Sequence, residues 1–151
     1  MTNLLAWTIA GILMLVTVLM HYETMLLVSD RLLPWARRRF RGRRVMMAST
    51  GALMIGHIVE IWLFAIVIMT LLQWPAFGHL SGDFDGGFNG YLYFSAVSYT
   101  SLGDNNIRPE GAIRALAATE TLTGLMMIAW SASFTYLKME EIWNARGRKE
   151  T

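Results

Sequence analysis

Three long apolar stretches constrain this chain more than any other feature. They run from Leu4 to Val28, from Ala48 to Gln73 and from Ala112 to Leu137. A transmembrane helix needs roughly 20 mostly apolar residues, since each adds about 1.5 Å along an axis that must cross about 30 Å of hydrocarbon. Lipid offers the backbone no hydrogen bonds, so only helices and closed barrels span it. The sequence therefore predicts an all-α integral membrane protein with three transmembrane helices.

The positive charges predict the orientation of these helices. Segments rich in Lys and Arg remain on the cytoplasmic side of a membrane, whereas Met1 to Asn3 carry no charged side chain. We therefore expect the N-terminus outside and the tail, residues 138–151, in the cytoplasm. The basic segment, residues 30–47, should contact anionic lipid headgroups, and no nucleic acid is expected. Seven arginines lie between the first two stretches: Arg31, Arg37, Arg38, Arg39, Arg41, Arg43 and Arg44.

The outer loop from Trp74 to Gly111 combines turn residues with a short helical segment. Glycine and proline punctuate residues 74–88, which predicts an irregular turret. Asn89 is a suitable N-cap for a helix over residues 89–100. Residues 101–105 should then run back outward as an extended strand. Non-helical backbone at membrane depth is tolerated where it lines a water-filled cavity, so this segment suggests a conduction path.

The same segment resembles the pore loop of the potassium-channel superfamily. Pro109, Arg114 and Gly124 also match, and the resemblance covers about residues 48–143. It implies an outer helix at 48–73, a pore helix, a filter, an inner helix at 112–137 and a hinge at Gly124. It also implies a homotetramer in a cytoplasmic (inner) membrane, fourfold around a central pore. Six residues take the places of Thr-Val-Gly-Tyr-Gly-Asp, with Thr100 before them: Ser101, Leu102, Gly103, Asp104, Asn105 and Asn106.

The departures from the family pattern concern selectivity. Asp104 stands where selective relatives have tyrosine, and Asn105 stands where they have the second glycine. Asn tolerates a left-handed backbone better than most residues, so the loop can persist with a remodelled outer half. We expect potassium and sodium to bind at Ser101, Leu102 and Gly103, with weak discrimination between them. An acidic filter also allows a preference for calcium. No other cofactor is expected.

Asp104 has two interpretations. Four carboxylates around an axis would attract cations and raise their local concentration. Alternatively, each carboxylate turns behind the filter and accepts hydrogen bonds from backbone N–H groups, as scaffolding.

Several ionisable residues fall within the apolar stretches, where such groups are costly. His57 and Glu60 are three residues apart and therefore share a helix face. They are interpreted first as a structural pair, then as a pH sensor, and last as a metal site, which would need further ligands. Glu120 should face either the back of the pore helix or the cavity. His21 and Glu23 are expected at the membrane interface.

These observations favour a channel over an enzyme, since no catalytic motif is recognisable. The expected function is a tetrameric, weakly selective channel for monovalent cations. One alternative is a non-conducting structural or regulatory membrane protein on the same scaffold. Another is a proton or cation transporter that uses His57, Glu60 and Glu120.

Overall fold

The computed structural model describes residues 1–40, 42–103 and 106–147. Three helical stretches, Thr2–Arg39, Arg43–Leu71 and Gly111–Asn144, are long and apolar enough to cross a membrane, which confirms the predicted spans. The elements follow the order α1 (Thr2–Leu27), α2 (Leu33–Arg39), α3 (Arg43–Leu71), β1 (His79–Gly82), α4 (Phe88–Tyr99), β2 (Ile107–Glu110) and α5 (Arg114–Gly147).

The basic segment at 30–47 is largely helical rather than an extended linker. A π-helical turn at Val28–Leu32 connects α1 to α2 without a break, and Pro34 lies in the first turn of α2. Proline has no N–H to donate, so the regular bonding ladder must be interrupted near it. The chain reverses at Phe40 and at Gly42, whose φ is +55°, before α3 begins.

The turret contains a regular element that was not predicted. Strands β1 and β2 pair antiparallel, with His79 opposite Glu110 and Gly82 opposite Ile107. A Cβ on Gly82, whose φ is +95°, would lie 1.8 Å from the carbonyl oxygen of Asn106. The two strands thus join the beginning of the outer loop to its end.

Helix α4 agrees with the predicted pore helix to within one residue at each end, but its cap is different. The N-cap is Gly87, so the assignment of Asn89 as the cap is wrong. The backbone N–H of Gly87 donates to Asp85 Oδ1 at 2.9 Å. Asp85 therefore orders the entry to the helix from two residues upstream, which is a common role of aspartate in turns.

Helix α5 extends ten residues beyond the predicted inner helix, through most of the expected tail. In this extension Lys138 Nζ donates to Glu141 Oε1 at 3.0 Å, one helical turn away. Arg37 of α2 donates to Glu141 Oε2 at 3.4 Å. The basic end of α2 and the end of α5 are therefore neighbours.

The apolar core is built by α1, α3, α4 and α5 together. Helix α1 contributes the fully buried Ala6 and Ala10, whose small side chains allow close approach. Helix α3 contributes Ala65 and Ile68, and α5 contributes Leu116. Helix α1 thus packs as an integral part of the bundle.

Candidate functional site

The chain leaves α4 in an unusual backbone conformation. Thr100 still belongs to the helical turn, and its hydroxyl donates to the carbonyl of Ala96 at 2.8 Å. Ser101 has φ +58° and Gly103 has φ +73°, whereas Leu102 between them has no positive φ. The expectation of a uniformly extended strand here is therefore wrong for the described residues. Left-handed backbone is unfavourable for serine, and such outliers concentrate at functional sites.

The predicted filter residues that the structure describes are all exposed. Thr100, Ser101, Leu102 and Gly103 follow one another directly after α4. Ser101 and Gly103 line a cavity of about 200 Å³ that Thr121 of α5 also borders. Asp104 and Asn105 lie outside the described residues, so the two interpretations of Asp104 both stay predictions.

Gly124 permits the close approach of α5 to the end of α4. A Cβ at this position would lie 1.9 Å from the backbone oxygen of Tyr99, far inside van der Waals contact. Helix α5 runs unbroken through Gly124. The structure thus gives this glycine a packing role, and the hinge stays a prediction.

Directly before the predicted filter lies a closed set of buried hydrogen bonds, which we call the polar ring. It consists of His21, His57, Glu60, Tyr99 and Ser131. His21 Nδ1 contacts Glu60 Oε1 at 2.9 Å, and the Tyr99 hydroxyl donates to Glu60 Oε2. His57 Nδ1 contacts the same hydroxyl at 2.9 Å. Both imidazole Nε2 atoms then meet the Ser131 hydroxyl, each at 3.1 Å.

The polar ring joins four helices. His21 belongs to α1, His57 and Glu60 to α3, Tyr99 to α4 and Ser131 to α5. His21 and Glu60 are no more than 1% exposed, and His57 is 8% exposed. The direct His57–Glu60 contact is the longest, with Nδ1 and Oε2 3.5 Å apart. The predicted pair therefore exists on one helix face, but Tyr99 bridges it.

The side chain of His21 is fully buried inside the bundle, in agreement with a structural role, and its depth relative to the membrane interface stays a prediction. Glu23, two residues on, is exposed. A signal for the position of His21 is present in the sequence, where α1 buries a residue every three or four positions. His21 falls on this stripe. Nothing in the local sequence, by contrast, distinguishes Tyr99 or Ser131 from other polar residues of a helix. The buried stripe comprises Ala6, Ala10, Leu13, Thr17, His21 and Met25.

Glu120 forms a second buried polar group, on the back of α4. Its carboxyl group is hydrogen-bonded to the Ser95 hydroxyl, so Glu120 faces α4, the predicted pore helix, and not a cavity. Ser95 Oγ also lies 2.8 Å from the carbonyl oxygen of Ile61. A neutral Glu120 carboxylic acid satisfies this geometry, because it can donate to Ser95 while Ser95 donates its one hydrogen to the carbonyl of Ile61.

Comparison with known proteins gives one match. A family described as ion channel matches residues 56–141, which is more than half of the chain and includes α4, the predicted filter and most of α5. The matched family contains pore domains like those of two-helix potassium channels. No curated protein matches the chain. No solved structure matches it either.

Proposed function

Since the chain belongs to the ion channel family, as a multi-pass membrane protein with three candidate spans, we propose that it is a tetrameric cation channel. It conducts potassium and sodium with weak selectivity. The conduction path runs through the segment from Thr100 to Asn105.

The observation that carries this proposal is where α4 ends. Helix α4 starts after the turret, and its last residue, Tyr99, contacts His57 near the middle of the 29-residue helix α3. A helix that begins outside and stops halfway along a spanning helix is a re-entrant helix. Its C-terminal carbonyl groups carry partial negative charge and favour a cation at the centre of the membrane.

The backbone beyond α4 supports cation coordination. Ser101 and Gly103 have positive φ, Leu102 between them does not, and all three residues are exposed in the single chain. Rings of carbonyl oxygens can replace the hydration shell of a monovalent ion. The hydroxyl of Ser101 supplies a further oxygen at the inner end.

The same exposure supports assembly of several chains, and the family resemblance supports four. One chain contributes one loop, and its exposed polar backbone would face lipid unless other copies surround it. A closed cyclic tetramer satisfies this requirement and places four copies of Asp104 around one axis. The exposed arginines at the end of α2 contact anionic lipid headgroups in this arrangement.

Reversal potentials in planar bilayers test the conduction proposal. Wild-type protein should conduct both ions, with a reversal potential that shifts little when sodium replaces potassium. Asp104→Asn should reduce conductance most at low ionic strength, where screening is weakest. Replacing Asp104-Asn105 by Tyr-Gly should shift selectivity toward potassium, because it restores the residues of selective relatives.

Two controls make the result interpretable. Asp83→Asn removes a turret carboxylate outside the filter and should leave selectivity unchanged. Native light scattering in mild detergent should give the mass of four chains. A monomeric mass, or strong exclusion of sodium by the wild type, would contradict the proposal.

A further inference from the structure

The polar ring brings together three side chains of the types that bind transition metals. We propose that His21, His57 and Glu60 bind a divalent ion of the zinc class inside the helical bundle. Two imidazoles and one carboxylate form a common three-ligand set for zinc, with a fourth position open. In the proposed site the Nδ1 atoms of both histidines and one oxygen of Glu60 are the ligands.

The donor atoms lie close to one another. Ligand atoms of a tetrahedral zinc ion with bonds of 2.0–2.1 Å are about 3.4 Å apart. His21 Nδ1 lies 2.9 Å from Glu60 Oε1, and His57 Nδ1 lies 3.5 Å from Glu60 Oε2, the oxygen that also accepts from Tyr99. One donor atom from each of the three residues lies within 4.8 Å of the others. To bind the ion, His57 Nδ1 must exchange its contact with the Tyr99 hydroxyl for a bond to the metal.

The polar ring has fewer donor hydrogens than hydrogen-bond contacts, and an additional cation would make up the difference. The ring contains five contacts, and each requires one hydrogen. With an ionised Glu60, the neutral histidines, Tyr99 and Ser131 supply only one hydrogen each. One contact is then left with two lone pairs facing each other. A positive charge beside the carboxylate resolves this deficit.

Bound metal satisfies the remaining groups. When both Nδ1 atoms bind the ion, both Nε2 atoms carry hydrogen and can donate to Ser131, whose oxygen has two lone pairs. Tyr99 continues to donate to the Glu60 oxygen that is not a ligand. Ser131 thus orients both imidazoles through their Nε2 atoms, on the side of each ring away from the metal, as outer-shell partners of metal-bound histidines do.

The polar ring borders a groove between α3 and α5. His57, Tyr99 and Ser131 line part of this groove, which has a volume of about 600 Å³. The groove continues to Tyr136 and Met139, near the basic end of the bundle.

Cobalt titration of the full-length, untagged protein in detergent tests this site, because four-coordinate Co²⁺ absorbs visible light and occupies zinc sites. We expect one Co²⁺ per chain, displaced by Zn²⁺. His21→Gln and Glu60→Gln should each weaken binding more than about 100-fold, and Ser131→Ala, which keeps every ligand, by about 10- to 100-fold. His79→Gln is the matched control, since this histidine lies in β1 and is 68% exposed.

The wild-type titration is decisive even if a ligand variant fails to fold, which circular dichroism would reveal. The absence of a cobalt band in folded wild-type protein would overturn the proposal and leave a proton as the ring's added cation. Binding that His79→Gln abolishes, or that folded Ser131→Ala leaves unchanged, would also overturn it. None of these measurements depends on conduction.

Discussion

Tyr99 is held at both ends, which makes it the residue that fixes the start of the filter segment. Its hydroxyl donates to Glu60, and its backbone oxygen lies against Gly124. Thr100 and Ser101 follow it directly. Any displacement of Tyr99 must therefore be transmitted to the first residues of the proposed filter.

Gly124→Ala should destabilise the protein by about 1–3 kcal/mol, because its methyl group cannot fit beside the Tyr99 carbonyl without moving α4 or α5. Gly51→Ala in α3 is the control. No atom lies within 4 Å of a Cβ placed there, so the better helix propensity of alanine should raise stability by up to about 1 kcal/mol. Thermal unfolding in detergent measures both. Equal effects would show that the contact with Tyr99 is unimportant.

The two buried glutamates should respond differently to the same substitution. Glu120→Gln retains a hydrogen donor for Ser95, so the stability should change by less than about 1 kcal/mol. Glu60→Gln replaces the charge-assisted contacts of an ionised carboxylate by neutral ones and should cost about 1–3 kcal/mol. Chemical unfolding monitored by fluorescence gives both values. A larger loss for Glu120→Gln than for Glu60→Gln would refute these hydrogen assignments.

At the scale of elements, α1 is a packed part of the bundle. Two of its alanines are fully buried in the main core, and His21 brings it into the polar ring. Gly56 of α3 also brings the two helices close, since a Cβ there would lie 3.1 Å from Thr24 Cγ2. Helix α1 therefore fixes α3 and α5 relative to α4.

Ala10→Leu should separate α1 from the bundle and lower stability by about 1–3 kcal/mol through overpacking. Gly11→Leu places the same side chain one position along, where a Cβ meets no atom within 4 Å. It should leave the melting temperature close to that of the wild type. If both variants have the same melting temperature, α1 does not pack as described.

Much of this arrangement was predictable, and the reason lies in periodicity. Long apolar runs and a breaker-free segment located the three spans and α4, because these signals are local. The helical ends beyond residues 30 and 137 were missed, because polar helices continue where bundle contacts such as Arg37–Glu141 form. The polar ring could not be predicted as a unit. Its members are up to 110 residues apart and meet only through tertiary packing.

At the scale of the whole molecule, the charge distribution predicts which end faces the cytoplasm. The chain has no cysteine, so single cysteines can be introduced and labelled without background. Thr2→Cys should react with a membrane-impermeant maleimide added outside intact cells. Asn144→Cys, on the exposed end of α5, should react only after the cells are opened. The reverse pattern would invert the proposed topology.

The helical path from Thr2 to Arg39, which continues through the π-helical turn at Val28–Leu32, makes the first span a long rod. Its 38 residues correspond to about 57 Å, nearly twice the hydrocarbon thickness of a typical bilayer. Even a steeply tilted rod of this length emerges beyond the acyl chains, so its arginine-bearing end stands among headgroups or in water. Thinning of the bilayer therefore changes the inclination of the rod rather than its length. Since His21 belongs to this rod, a change in membrane thickness that tilts the rod would also displace His21 within the polar ring, directly before the proposed filter.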